Sequence, residues 1–341
     1  MDNVWSEYLR RQGAVVEDEV ITGFGDQAAE LTAAKDGDVL CALGHLGLIR
    51  VSGEESQTYL QNLLSCDIRE TSSGKTLLGS LNTAKGRTQA IFQVIKQGED
   101  FLLVLPRTLL APILKRLSLF VLRSKVRLSD ATGEVALFGL SGPQATSLLE
   151  AQLGTVPEVG HVAGKAIRLA DSRYQVLCAP DEAIPLWQAL SQTACPAGST
   201  AWDWLEIQAG IPVVMPTTQE EFVPQMTNLE LVGGVSFKKG CYPGQEIVAR
   251  MHYLGKPKRR MFLAHVANGQ PPRPGDKLHS DDNLTEGQST GIVVNAAPSP
   301  EGGYDLLAVV HISSHDHHTV HLGAPDGVTL DFRPLPYTLP A

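Results

Sequence analysis

The apolar pattern of this chain changes once, and that change limits what it can fold into. Up to about residue 254, runs of alternating apolar residues take turns with runs at helical spacing. After Gly255-Lys256-Pro257 only short β runs remain: "RRMFLAHVA", "STGIVVNAA", "YDLLAVVHIS", "HTVHLGA" and "GVTLDF", parted by Gly, Pro and Asp, with no helical period between them. Such a succession predicts a small closed β domain. The earlier part predicts helices over 2–12, 107–122, 143–153 and 181–193. In "EESQTYLQNLLS", Tyr59, Leu60, Leu63 and Leu64 recur at helical spacing. A hairpin pattern runs across 77–106, broken at Lys85-Gly86-Arg87 and at Gly98. Strands and helices mixed with local hairpins give an α+β class. A chain of 341 residues is longer than one compact domain usually is. The expected division is an N-terminal α+β domain over 1–130, a second over 131–255 with part of 200–255 folding back on the first, and a β-barrel over 256–341.

Apolar residues make up 43% and charged residues 19%, the balance of a globular chain with a core. No apolar run is long enough to span a bilayer, and "MDNVWSEYLRRQG" has no apolar signal core, so a cytoplasmic protein without a membrane partner is expected. The five cysteines, Cys41, Cys66, Cys178, Cys195 and Cys241, are odd in number and form no CxxC pair. That argues against a disulfide framework and for a reducing compartment. A net charge of −9 argues against a general nucleic-acid coat. The charge is nevertheless uneven. Residues 107–127 hold six Lys/Arg and no acid, and residues 238–260 hold seven with one acid, Glu246. Each island is either a local docking site for a polyanion or an ordinary solvated face.

The stretch "KKGCYPGQE" is the densest. Pro243 suits a first helical position, Gln245 and Glu246 a first turn, and Gly255 a stop. Backbone N–H groups at such a start favour a nearby thiolate; Lys238 and Lys239 would add to this and Glu246 would oppose it. The residues alone leave Cys241 as either a reactive thiol or a small buried hydrophobe. Free cysteines more often take the second role, although Gly240 and Gly244 leave room to approach the sulfur. "HISSHDHHTVH" offers His311, His315, His317, His318 and His321 beside Asp316. On a strand, His315 and His317 would share a face and could hold a metal; solvated histidines of a polar loop are the preferred reading, and no metal is assigned.

Lys239-Gly240-Cys241-Tyr242-Pro243-Gly244-Gln245-Glu246, followed by Val248-Ala249-Arg250, resembles the signature of the YgfZ-type folate-binding proteins. "AKGR" at 84–87, "LRSKVRLSD" at 122–130, "QAGIP" and "PQMTNLELVGGVSF" resemble other family blocks in family order. The family is related to the T-protein of the glycine cleavage system. The resemblance implies a three-domain ring with two α+β domains and a C-terminal β-barrel, binding tetrahydrofolate or a one-carbon derivative. It also implies a role in assembly, repair or maintenance of iron–sulfur enzymes, tRNA-modifying ones included, so the expected partners are folate and iron–sulfur enzymes or their assembly proteins. Cys241 matches the motif cysteine taken as functional. Trp202 matches an aromatic implicated in holding folate, although a core tryptophan is the other role open to it. Lys85 and Arg87 would meet the folate carboxylates, and Tyr242, Gln245 and Arg250 belong to the same ligand-binding set.

Two departures weaken the expected folate site. Leu46 stands where some members carry a second aromatic. Gln208 stands where relatives usually show Glu, so one pterin-directed carboxylate is replaced by an amide with a single acceptor. An aminomethyltransferase of T-protein type is the main enzymatic alternative. The aspartate pair that the resemblance associates with that chemistry falls on Ala90 and Ile91, so no carboxylate is left for proton transfer. A non-catalytic scaffold for an iron–sulfur client is the second alternative. An accessory folate-binding factor is the expectation preferred to both.

Overall fold

The computed structural model describes residues 4–267, 269–281 and 289–340. Its elements group into two units. One comprises Met1–Tyr59, Arg69–Leu77 and Gln93–Leu205; the other comprises Leu60–Ile68, Leu78–Phe92 and Glu206–Ala341.

In the first unit the strands Arg173–Cys178 and Ala136–Ser141 form the middle of a six-stranded sheet. Ala136–Ser141 is buried along its whole length, as a strand covered on both faces must be. Val39–Ala42 follows antiparallel to it, and Cys195–Ala197 closes that edge as a parallel partner. The helices Val4–Arg11, Ala145–Leu153 and Pro180–Leu190 bring apolar residues to one core, where the rings of Trp5 and Phe138 meet Trp187 edge-on at 5.3 and 5.7 Å. The helix Ser199–Gln208 places Trp202 over Gly139. A Cβ at 139 would come within 2.2 Å of the indole, so the ring's position requires a glycine beneath it. Elsewhere in this unit Leu46–Ser52 lies between Asp100–Pro106 and Arg127–Asp130, both antiparallel to it. The helix Arg107–Ser118 buries Leu109, Leu110, Ile113 and Leu117. It stops four residues short of the expected 122, where Leu122 has left-handed backbone (φ 46°).

The second unit holds the tight turn between the strands Leu77–Asn82 and Thr88–Gln97, in which Thr83 N–H donates to Arg87 C=O at 2.8 Å and Gly86 has φ 71°. The C-terminal region is a six-stranded sheet in the order Val320–Leu322, Lys277–Ser280, Gly291–Pro298, Tyr304–His311, Arg259–Val266 and Asp331–Arg333. Its strands pair antiparallel around Phe262, Ala264, Leu306, Ala308 and Val310. The two end strands share no ladder, but the residues leading into Asp331–Arg333 meet Val320–Leu322, with Leu322 N–H donating to Val328 C=O at 2.9 Å and Leu330 N–H to Val320 C=O at 2.8 Å, so the sheet curls into a half-barrel. The α+β class is as expected. One element corrects the all-strand reading of this region: Ile312–His317 is a short helix, so His315 and His317 do not share a strand face.

Candidate functional site

The "KKGCYPGQE" loop is held at both ends and open in the middle. Lys239 is 6% exposed. Its ammonium donates to the carbonyls of Gln61 (2.6 Å), Leu64 and Cys66 (2.8 Å). Gln61 and Leu64 lie at the C-terminal end of the helix Ser56–Leu63, whose last carbonyls lack intrahelical partners, and Cys66 lies just beyond; a lysine there satisfies them and complements the negative end of the helix dipole. The Lys239 charge is thus directed into these carbonyls, which corrects the expectation that it adds potential at the cysteine. Tyr242 is 6% exposed, with the Lys239 ammonium 5.3 Å from its ring centre. Burial pushes its phenol up to about 12.

At the far end, Gly244 takes φ 78°. A Cβ there would lie 2.4 Å from Thr83 C=O and 2.6 Å from Gly86 Cα, so only glycine lets the motif meet the Lys85-Gly86-Arg87 turn this closely. A Cβ on Gly86 would in turn lie 3.0 Å from Ile247 Cβ. The motif helix spans Gln245–Leu254 with Gly244 as N-cap, so Pro243 precedes the helix instead of opening it. Gln225 secures that helix by donating to Val248 C=O at 2.7 Å.

Between these anchors Cys241 is exposed, and no heavy atom would come within 4 Å of a Cβ on the preceding Gly240. The other cysteines differ. Cys41, Cys66 and Cys178 are buried and Cys195 is half-buried. Burial raises the Cys178 thiol to about 11 and pushes Cys41 well above its usual range. Gln245 stays beside the loop, its amide donating to Gly240 C=O at 3.4 Å.

Lys85 is exposed, and Arg87 donates one N–H to Glu221 C=O at 2.7 Å, which leaves most of its guanidinium donors for a ligand. Arg259 is its neighbour: burial and the Arg87 charge push the Arg259 guanidinium below its usual range. Sequence reasoning passed over Asn82 and Thr88, which flank the turn. Asn82 is 3% exposed and Thr88 fully buried, yet neither polar atom of the Asn82 amide, nor the Thr88 hydroxyl, nor the Tyr242 hydroxyl, has a hydrogen-bond partner among the described residues. Buried polar groups are rarely left so. Asn82 and Thr88 thus bring unsatisfied buried donors and acceptors beside the basic turn. The readable signal was the Asn at the end of a β run directly before "TAKGR".

Trp202 is 1% exposed and belongs to the first unit's core, with the Arg173 guanidinium 5.9 Å from its ring. Gln208 donates its amide to Asp305 Oδ2 at 3.0 Å, and Asp305 Oδ1 meets His265 Nδ1 at 2.7 Å. Earlier in the same helix, the part-buried Asp203 faces His45 Nε2 at 3.5 Å, and burial pushes its carboxyl up to about 7. Leu46 lines a cavity of about 260 Å³ within the first unit, together with Gly44, Arg107 and Asp130. Ala90 and Ile91 are both buried in the strand Thr88–Gln97. The histidines disperse: His315 stacks on Phe262 at 3.8 Å, His318 meets Asp281 at 3.2 Å, and His321 meets Gly327 C=O at 3.0 Å. Among the described residues no group of three or more His, Cys, Asp or Glu is placed to hold a metal, and no helix is long and apolar enough to cross a membrane.

Residues 21–239 match the family model of the GCVT N-terminal domain. The tRNA-modifying protein YgfZ of Colwellia psychrerythraea is 30% identical over 308 residues, covering 88% of this chain and 93% of that protein. The tRNA-modifying protein YgfZ of Photobacterium profundum is 34% identical over 254 residues, covering 73% and 77%. The Escherichia coli tRNA-modifying protein YgfZ is 30% identical over 310 residues, covering 88% and 93%. Of solved structures, the glycine cleavage system aminomethyltransferase T from Bartonella henselae superposes with a TM-score of 0.77 at 18% identity, covering 97% of this chain and 96% of that one, a likeness of fold.

Proposed function

The chain belongs to the YgfZ family, with its GCVT N-terminal domain, and from that premise we propose that it is a folate-dependent accessory protein of tRNA modification. In this reading it supports assembly, repair or maintenance of iron–sulfur enzymes, tRNA-modifying ones among them, through the sulfur of Cys241. The observation that carries the proposal is the built presentation of that thiol. It is the exposed cysteine of the chain, on a loop fixed by Lys239 on one side and by the Gly244–Gly86 contact on the other. A structural cysteine needs no such mounting.

Tetrahydrofolate or a one-carbon derivative is the proposed cofactor. Lys85, Arg87 and Arg250 suit its carboxylates by charge, Arg87 through paired N–H donors. The orphaned Asn82, Thr88 and Tyr242 groups suit the amide- and hydroxyl-rich remainder of such a ligand. Trp202 and Gln208 are less well suited: the indole has no exposed face, and the amide is held by Asp305. Their contribution is to shape rather than to contact. Binding is accordingly expected to be weak, and Arg87→Ala should weaken it by about 1.5–3 kcal/mol in a calorimetric titration, the range for a hydrogen bond to a charged group. An unchanged titration would move the folate elsewhere. Aminomethyl transfer draws no support from Ala90 and Ile91, which offer no proton-transferring group.

The deciding experiment is a deletion strain scored for iron–sulfur enzyme activities and complemented with wild type or Cys241→Ser. Loss of complementation by a stably folded Cys241→Ser protein is expected. Full complementation would favour a scaffold that acts without the thiol.

A further inference from the structure

Beside Arg250, already named as a folate contact, the exposed face of the motif helix carries two large side chains that neither the thiol nor the proposed folate contacts use. Arg250, Tyr253 and Leu254 follow at i, i+3 and i+4, so they share one side of the helix. Tyr253 is 66% and Leu254 84% exposed, unusual for large apolar side chains. Beside them Phe237 stacks on His252 with ring centres 3.7 Å apart and planes within 14°. Tyr253 meets both rings at a steep angle, at 6.2 and 4.8 Å. Lys238 adjoins Phe237 in the sequence and Lys256 and Lys258 closely follow the helix; all three are exposed, and among the described residues neither they nor Arg250 makes an ion pair. The one acid in the 238–260 stretch is Glu246, in the first turn.

We propose that this face is a docking surface for single-stranded RNA, with Tyr253 as the stacking platform and Lys238, Lys256 and Lys258 as phosphate contacts. Unpaired cations account for a polyanion, and the open aromatic ring selects among polyanions. A polyglutamate tail or an acidic protein segment has no flat base to lay on Tyr253, whereas each nucleotide of a single strand brings one phosphate and one base. A duplex would keep its bases stacked on each other, out of reach of a surface ring. The choice of RNA over DNA rests on the family reading given above; the surface itself does not.

The test uses the full chain, purified without folate or client, and a fluorescent unstructured RNA of about a dozen nucleotides, within the usual site size, in anisotropy titrations across salt. Tyr253→Ala should weaken binding by about ten-fold or more, the effect of losing one stacked base, and Tyr253→Phe should restore it. Lys256→Ala with Lys258→Ala should reduce the log–log salt slope by about 0.7 per cation removed. Thermal melts of the variants should match wild type, because the altered side chains are exposed. The proposal is overturned by absent binding, by a Tyr253→Ala protein that binds as wild type does, or by heparin or polyglutamate binding as tightly as RNA. Clear preference for DNA of the same sequence also overturns it. Failure of the Cys241 complementation leaves these readings unchanged, so the two can be told apart.

Discussion

The helix Ser199–Gln208 turns Ala201, Trp202, Trp204 and Ile207 inward, all within 7% exposure. The loop at 238–246 leaves Gly240 and Cys241 outside and buries Lys239 before them and Tyr242 after them. Both stretches hold residues that the family resemblance marks for chemistry, and the contrast follows from what each has to bury. The helix carries large apolar side chains around most of its circumference, so it is an interior element and its aromatic rings serve the core first. The loop carries two glycines and a proline, which bury little area, and it is fixed by polar anchors and close backbone approach. A motif aromatic on an apolar helix is therefore weak evidence for ligand stacking. A small nucleophile between glycines, mounted by a buried lysine, is stronger evidence for function.

The comparison can be broken first at Trp202. Trp202→Ala should destabilise the chain by about 3–5 kcal/mol, the usual cost of emptying a buried tryptophan site. A denaturant midpoint close to wild type would mean that the indole is not a core residue. Lys239→Met keeps the apolar stem but strips the helix-end carbonyls of their donor. A loss of about 1–3 kcal/mol is expected, with faster amide exchange across 238–246. No change in that exchange would mean that the loop is held by Gly244 alone.

Asp203 sharpens the comparison through pH. Its carboxyl is raised to about 7 by burial, above its unfolded value of 3.8, so the folded chain favours the protonated form. Stability tied to this group is full below 3.8 and declines as pH rises towards 7. Asp203→Asn should raise the melting temperature at pH 8 by a few degrees at most, because the side chain is part-exposed, and the gain should shrink to nothing near pH 4. A gain independent of pH would mean that the carboxyl titrates normally.

Much of this was readable in the sequence, and the parts that were not have common physical causes. The apolar period located the helices at 4–11, 107–118 and 180–190, and the Gly/Pro punctuation located the C-terminal strands. The helix Gln27–Asp36 was signalled by Asp26, whose side chain accepts from Ala29 N–H at 3.0 Å, but its small, mixed residues give little period to detect. Ile312–His317 is too short for a period at all. The role of Lys239 could not be read locally. Next to a cysteine a lysine looks like a source of potential, whereas its partners lie more than 170 residues earlier in the chain. The Gln208 amide likewise meets Asp305, 97 residues away, a contact no local pattern announces. Long-range hydrogen bonds decide where a polar side chain points, and spacing along the chain carries no trace of them.

The smallest expected change in stability belongs to the residue with the largest expected functional effect. Cys241→Ser should leave the melting temperature nearly unchanged, since the side chain is exposed. The most direct measurement is the rate at which each of the five cysteines is alkylated in the native protein, read by peptide mass spectrometry under a limiting amount of a small reagent. Cys241 should be modified first, well ahead of half-buried Cys195, with Cys41, Cys66 and Cys178 protected until unfolding. Modification of Cys195 or of a buried cysteine ahead of Cys241 would contradict a displayed, mounted thiol.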